Sequence, residues 1–413
     1  MRKLLLTAVS LAGLCTLASA QTCVWDVHPA TNPNGKKLTM EEVITSRTIS
    51  PTRASVRWID DKTATVSSPK GTSTINVLTG EAVESSAPTQ GPAMMGGFGG
   101  NRGNLPQGAR NAVANNGNTA YTIGQSLYYS DKNGHQVCIA ESENKEITYG
   151  QSVSRNEFGI GEGIYWSATG KKLAFYRKDE TLVTSFPLLD ITTRTGSLES
   201  IKYPMAGMSS ENVRLGIYDL ASNTTVWAQV DDFGYDQYLT NISWSPDDRY
   251  VFIQVLDRAQ ENVHLNMYRS SDGAFVKTIL TEHNDRYVEP ENRLVFLEGT
   301  YEFIYRTDNR DGYKNLYLCD TLGTVRRLTC VDADVTYFTN DGKSVYYMSS
   351  EVSPVETHLF RVDVTLSKPK PGKSATMKLS KPIRLTTEQG KHSVTMNPSK
   401  TMFVDNYSSL NVP

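Results

Sequence analysis

The amino-acid sequence predicts an all-β protein, a β-propeller of four-stranded antiparallel blades, on two observations. The first is a recurring pattern in which an aromatic residue and a short polar stretch lead through a Pro, Asp, Asn or Gly turn into an apolar strand. It occurs at Trp166–Tyr176, Trp244–Phe252 and Phe338–Tyr347, and more weakly at Met396–Phe403. Each copy reads as a strand, a tight turn and a second strand. The second observation is that further hairpins stand between these copies. Leu215–Leu220 turns at Ser222-Asn223 into Thr225–Trp227, Leu265–Tyr268 turns at Asp272-Gly273 into Phe275-Val276, and Leu316–Cys319 turns near Gly323 into Val325–Leu328. Leu359–Val362 meets Ile383–Leu385 after a longer loop. Paired hairpins repeating at about 40 to 80 residues mark four-stranded blades packed radially. The spacing is uneven, so the connecting loops differ in length.

Taken in chain order, Met1-Arg2-Lys3, the apolar run Leu4–Leu17 and Ala18-Ser19-Ala20 have the three regions of a secretory signal peptide over residues 1–20. The apolar run is shorter than the roughly 20 residues a membrane span requires. No membrane span is expected elsewhere, and the chain is expected to be exported, to a periplasm or the extracellular space. Residues 21–50 form an N-terminal segment whose Leu38–Ile44 stretch predicts a short helix, capped by Thr39 and with Glu41 and Glu42 in its first turn. The propeller is expected over 51–413, its first strands at 54–59 and 74–78. Residues 84–118 are rich in Gly, Asn and Pro and predict a flexible inter-blade loop, because such a composition buries too little apolar surface to offset its ordering entropy.

Composition sets limits on function. With 38% hydrophobic and 21% charged residues the chain can bury a core. A formal charge of −2 with scattered Lys and Arg gives no electrostatic basis for nucleic-acid binding. Of the five cysteines, Cys15 falls in the signal, Cys23 and Cys138 have no evident partner, and Cys319 and Cys330 flank one hairpin, where an exported compartment permits a disulfide. No Cys/His cluster has zinc-ligand spacing, the six histidines are dispersed, and no metal or cofactor is expected. The Gly-x-Ser-x-Gly elbow of a serine hydrolase is missing, since Gly124-Gln125-Ser126 and Gly150-Gln151-Ser152 lack the second glycine. No phosphate-cradling glycine motif occurs either, so no catalytic residue is assigned in this chain.

One loop stands apart: Arg155-Asn156-Glu157-Phe158-Gly159-Ile160 sets a single acid in a glycine-flanked turn before Trp166. Together with Tyr149–Val153, Tyr203–Gly207, Asn241–Asp247, Asn262–Asn266, Tyr287–Pro290 and Arg310–Leu318, it resembles the propeller of bacterial dipeptidyl peptidase IV of the prolyl oligopeptidase family. The resemblance spans nearly the whole chain after the signal. It implies an eight-bladed propeller covering a C-terminal α/β-hydrolase domain, absent here, that carries the catalytic Ser, Asp and His. It further implies peptide substrates with a free N-terminus, release of dipeptides with Pro or Ala second, and a homodimer. Acidic propeller side chains bind the substrate ammonium in this family, because a desolvated cation must meet an anion. Glu157 matches that position, with Arg155 and Asn156 as its neighbours, and Glu162 is a second acid read as solvated. A prolyl tripeptidyl peptidase propeller and a stand-alone propeller that binds peptide or protein without catalysis are the alternatives.

Overall fold

A computed structural model describes residues 39–44, 55–68, 71–83, 105–410 and 412. The expected signal peptide and residues 84–104 of the expected flexible loop lie outside these. The chain divides into two compact units, one of Met1–Ser55 and Val66–Thr72, the other of Val56–Thr65 and Ser73–Pro413. In the first, Met40–Ile44 forms a five-residue helix. No described helix is long and apolar enough to cross a membrane.

The remainder is antiparallel sheet, in chain order. The first sheet holds β1 (Ser55–Trp58), β2 (Thr63–Ser68), β3 (Gly71–Asn76) and β4 (Ala82–Val83). The second holds β5 (Ala109–Asn115), β6 (Asn118–Ile123), β7 (Ser126–Ser130) and β8 (Gln136–Ala140). In the third, β9 (Ile147–Tyr149), β10 (Ile164–Trp166), β11 (Lys172–Asp179), β14 (Asn212–Asp219) and β15 (Thr224–Trp227) assemble around β11, while β12 (Ser185–Asp190) and β13 (Ser197–Lys202) pair only with each other. The fourth runs β16 (Gln237–Trp244), β17 (Tyr250–Asp257), β18 (Asn262–Arg269) and β19 (Phe275–His283). The fifth contains β20 (Val295–Phe296), β21 (Phe303–Thr307), β22 (Asn315–Cys319) and β23 (Val325–Arg327). The sixth contains β24 (Val335–Asn340), β25 (Ser344–Ser349), β26 (His358–Leu366), β27 (Met377–Leu379) and β28 (Ile383–Arg384), and β29 (Lys391–Met396) with β30 (Phe403–Ser408) makes a seventh.

This is the expected propeller, with a corrected count. The described residues give six blades of four or five strands and a two-stranded seventh sheet, rather than eight blades. One excursion that could pass for blade material, residues 180–211, carries only the β12–β13 hairpin, inserted between two paired strands of the third blade. The flexible loop also ends sooner than composition suggested. Asn116 and Gly117 both take positive φ (49° and 82°), the geometry of a two-residue hairpin turn, and so join β5 to β6.

Three junctions between sheets share one contact. The indole Nε1 of Trp244, at the end of β16, donates to the carbonyl of Tyr165 at 3.0 Å, and that of Trp166 donates to Val113 at 2.8 Å. Trp58, ending β1, donates in the same way to Thr395 on β29 at 3.0 Å. Asn397 Nδ2 and the Ser399 amide add bonds to the Asp61 carbonyl and carboxylate at 3.2 and 2.7 Å. Tyr165 and Thr395 each lie one residue before the end of their strand, so the seventh sheet meets the first as the third meets the fourth. Between these polar latches the blades bury apolar layers. The layer joining the third and fourth sheets contains Tyr176, Leu215, Ile253 and Tyr268, together with Val153 and Ile160 from the two ends of the Glu157 loop.

The expected Cys319–Cys330 bridge is not formed, and both thiols are free. The β22–β23 register sets Cys319 opposite Val325, so Cys330 lies further along the chain, beyond the end of β23. Cys319 packs among Phe303, Tyr305 and Leu265, and burial pushes its thiol up to about 12. Cys330 is exposed and accepts from Arg327 Nη1 at 3.1 Å.

Candidate functional site

The loop between β9 and β10 is wound left-handed. Ser154, Arg155, Asn156 and Phe158 have φ of 50°, 53°, 63° and 54°, and Gly159 has 72°. For side chains other than glycine this region costs roughly 1–2 kcal/mol per residue. Such a conformation persists only where its surroundings over-determine it, and such clusters concentrate at functional sites. Local bonds make the turn compact: the Asn156 amide donates to Val153 O at 3.1 Å, Glu157 to Ser154 O at 2.9 Å, and Ile160 to Glu157 O at 2.9 Å.

Long-range contacts hold it in place. On one side, Asn241, itself at φ 54° in a bulge of β16, uses Nδ2 to reach Phe158 O at 3.1 Å and Pro290 O at 2.6 Å. The Phe158 ring packs on Tyr238 with centroids 4.8 Å apart. Gly159 lies against the Glu291 backbone so closely that a Cβ would sit 2.1 Å from its carbonyl oxygen. On the other side, the buried Ser154 amide donates to Glu211 Oε1 at 2.5 Å. Arg155 lies over the Tyr203 ring, 4.9 Å from its centroid.

Glu157 itself is exposed. Among the described residues its carboxylate has neither an ion pair nor a hydrogen bond, and Arg155 is turned onto Tyr203 instead. Its charge reaches Tyr238, whose phenol is pushed up chiefly by burial and further by Glu157, against the pull of Arg258. Arg258 donates to the Tyr238 hydroxyl and lies 3.5 Å from Ser210 Oγ. Glu162, read from sequence as solvated, is half-buried and paired: Arg293 Nη2 donates to its Oε2 at 2.8 Å while stacking 4.5 Å above Tyr165. The site is thus one unpaired carboxylate on a tightly hydrogen-bonded turn, with the neighbouring guanidiniums of Arg155 and Arg258 drawn onto Tyr203 and Tyr238, which leaves the carboxylate open to a cation. Sequence reasoning identified Glu157, Arg155 and Asn156 but not Tyr238, Arg258 or Glu211, which come from other strands and connections with no local motif. No group of three or more His, Cys, Asp or Glu among the described residues is placed to hold a metal ion.

Comparison with known proteins places the chain in a family. The family model for the dipeptidyl peptidase IV (DPP IV) N-terminal region matches residues 109–413. A probable dipeptidyl-aminopeptidase B of Tuber melanosporum is 24% identical over 286 residues, covering 62% of this chain and 30% of that protein. A crystal structure of a protein from Bacteroides ovatus, named as a dipeptidyl aminopeptidase IV, aligns with TM-score 0.64 and 31% identity over 86% of this chain and 49% of that one. Dipeptidyl peptidase 4 of Porphyromonas gingivalis aligns with TM-score 0.72 at 19% identity, over 91% of this chain and 59% of that one, which is a likeness of fold. The chain therefore spans about a third of the length of its curated relative and about half that of the solved structures. With about three quarters of its residues inside the family model and a propeller architecture, the chain belongs to the family of dipeptidyl peptidase IV N-terminal regions.

Proposed function

We propose that this chain is the substrate-gating, N-terminus-recognising propeller of an exported dipeptidyl peptidase IV-like serine exopeptidase. In this reading Glu157 accepts the α-ammonium group of the peptide, and a C-terminal α/β-hydrolase domain supplies the nucleophile that releases Xaa-Pro dipeptides. The observation that carries it is the unpaired Glu157 carboxylate on a strained turn held from both sides. A fixed anchor pre-pays the ordering that a mobile glutamate would lose on binding, and the distance from anchor to nucleophile sets how many residues are removed. That distance decides between dipeptidyl and tripeptidyl release.

The test is calorimetric binding of a Gly-Pro-containing peptide to the chain, compared with the same peptide N-acetylated. The free amine is expected to bind better, and Glu157→Ala to remove the difference, a loss of about 10- to 100-fold, the size of one charge-assisted hydrogen bond. Equal affinity for the free and acetylated peptides would overturn the reading. Hydrolysis of a Gly-Pro chromogenic amide by the chain joined to the polypeptide encoded directly downstream then tests the exopeptidase assignment.

The homodimer belongs to the same proposal and is supported by the β12–β13 hairpin. Its two strands pair only with each other, and Phe186, Leu188, Leu189, Ile191 and Leu198 stay exposed along it, Ile191 at 79% and Leu198 at 74%. Apolar side chains gathered on such an arm mark an interaction surface. Sedimentation equilibrium is expected to give a dimer, and Leu189→Asp with Leu198→Asp a monomer that still melts in one cooperative transition. A parent chain that sediments as a monomer at tens of micromolar would count against it.

A further inference from the structure

We infer that Glu211, one residue before β14, is the positioning residue that locks the Glu157 turn; this deepens the ammonium-recognition reading and rests on it for its functional consequence. Ser154 is buried and left-handed, and its amide has no partner in the turn itself; it donates to Glu211 Oε1. The Ser154 carbonyl in turn accepts the Glu157 amide. A path of two hydrogen bonds therefore runs from the edge of β14 to the backbone of the proposed anchor. β14 is a rigid base for it, paired with β11 along its whole length from Asp179↔Asn212 to Lys172↔Asp219.

The two tethers divide the work. Asn241 fixes the Phe158 end of the turn and Glu211 fixes the Ser154 end, with Glu157 between them. Without Glu211 a buried amide would lose its acceptor, and the left-handed run would lose the contact that offsets its strain at that end. The charged groups around Glu211 are Lys178, Glu180 and Arg155. Burial pushes its carboxyl up, the Ser154 amide and the two cations oppose this, and Glu180 adds to it. What the tether requires of residue 211 is an acceptor oxygen.

Glu211→Gln keeps such an oxygen and Glu211→Ala removes it, so the pair separates the tether from the charge. The readouts are the ratio of affinities for free and N-acetylated Gly-Pro peptides, and amide hydrogen exchange over residues 153–160. In Glu211→Ala the ratio is expected to fall about tenfold, the size of a net hydrogen-bond loss of roughly 1.4 kcal/mol, with faster exchange across the turn. In Glu211→Gln both should stay within about threefold of the parent, less than half of that tenfold on a logarithmic scale. An unchanged ratio and exchange in Glu211→Ala, or equal loss in both variants, overturns the inference. If the parent itself fails to distinguish the two peptides, the recognition reading fails. Faster exchange confined to Glu211→Ala would still uphold the tether, and unchanged exchange would sink it.

Discussion

Gly159→Ala is expected to destabilise the chain by about 2–5 kcal/mol and to abolish preference for free-amine peptides. Two costs add. An alanine at φ 72° pays roughly 1–2 kcal/mol for the left-handed region. Its Cβ would also stand 2.1 Å from Glu291 O, 2.6 Å from Glu291 C and 2.9 Å from Asn241 Oδ1. Two of these neighbours are backbone atoms, so the turn rather than a flexible side chain must move, an overpacking cost of about 1–3 kcal/mol. Displacement breaks the Asn241 bond to Phe158 O and carries Glu157 with it. Gly161 is the control: nothing lies within 4 Å of a Cβ built there and its φ is ordinary, so Gly161→Ala should be near neutral. Urea denaturation of the two variants beside the parent checks the pair. A Gly159→Ala protein as stable as Gly161→Ala would mean that the close approach to Glu291 is not rigid.

Arg326→Ala is expected to cost about 3–5 kcal/mol, because it strips the partner from buried carboxylates. Arg326 donates to Glu302 Oε2, lies 3.6 Å from Asp320 Oδ2, and reaches Ala375 O at 2.5 Å, linking the fifth sheet to a loop of the sixth. All three charged side chains are at most 14% exposed, so solvent screens them little. Burial already raises the Glu302 carboxyl, with the Arg326 charge opposing it. For a group raised in the folded state, the favourable side of the balance lies at low pH and is lost as pH climbs through its folded pKa. The deficit of Arg326→Ala should therefore be smallest in acid, where Glu302 is protonated, and grow towards neutrality. Adding Glu302→Gln should recover part of it at pH 7 and little at pH 4. Thermal melts across that range provide the measurement, and a deficit independent of pH would mean that lost packing, not stranded charge, governs the effect.

The strands were legible because hairpin chemistry is local. Asp272-Gly273 and Asn340–Gly342 announce turns, and the apolar strands after them fall where the pattern places them. Asn116-Gly117 carries the same signal, yet the polar, glycine-rich stretch before it masks the turn, and β5 reads as loop from composition. Blade count was less legible, since an inserted hairpin such as β12–β13 has the same local pattern as a blade hairpin, and only long-range pairing tells them apart. At the site, Glu157 was found through the resemblance. Its supports were not, because the interactions that hold its turn join residues 83 and 57 positions apart, Asn241 to Phe158 and Glu211 to Ser154. The Cys319–Cys330 expectation failed for a related reason: nearness in sequence across a hairpin does not fix register, and Val325 rather than Cys330 stands opposite Cys319.

The tryptophan latch also bears on how the blades can move. Among the described residues the first and seventh sheets share no strand, and Trp58 and Asp61 tie them by side-chain and turn bonds. The third and fourth sheets meet through the same kind of bond. Parting such a joint sacrifices a few hydrogen bonds and some apolar contact while leaving every β-ladder whole, so the energetic unit of breathing is a whole blade. The stiffness of each joint would then follow from whether a tryptophan stands at the end of an edge strand of the sheet, as in β1, β10 and β16.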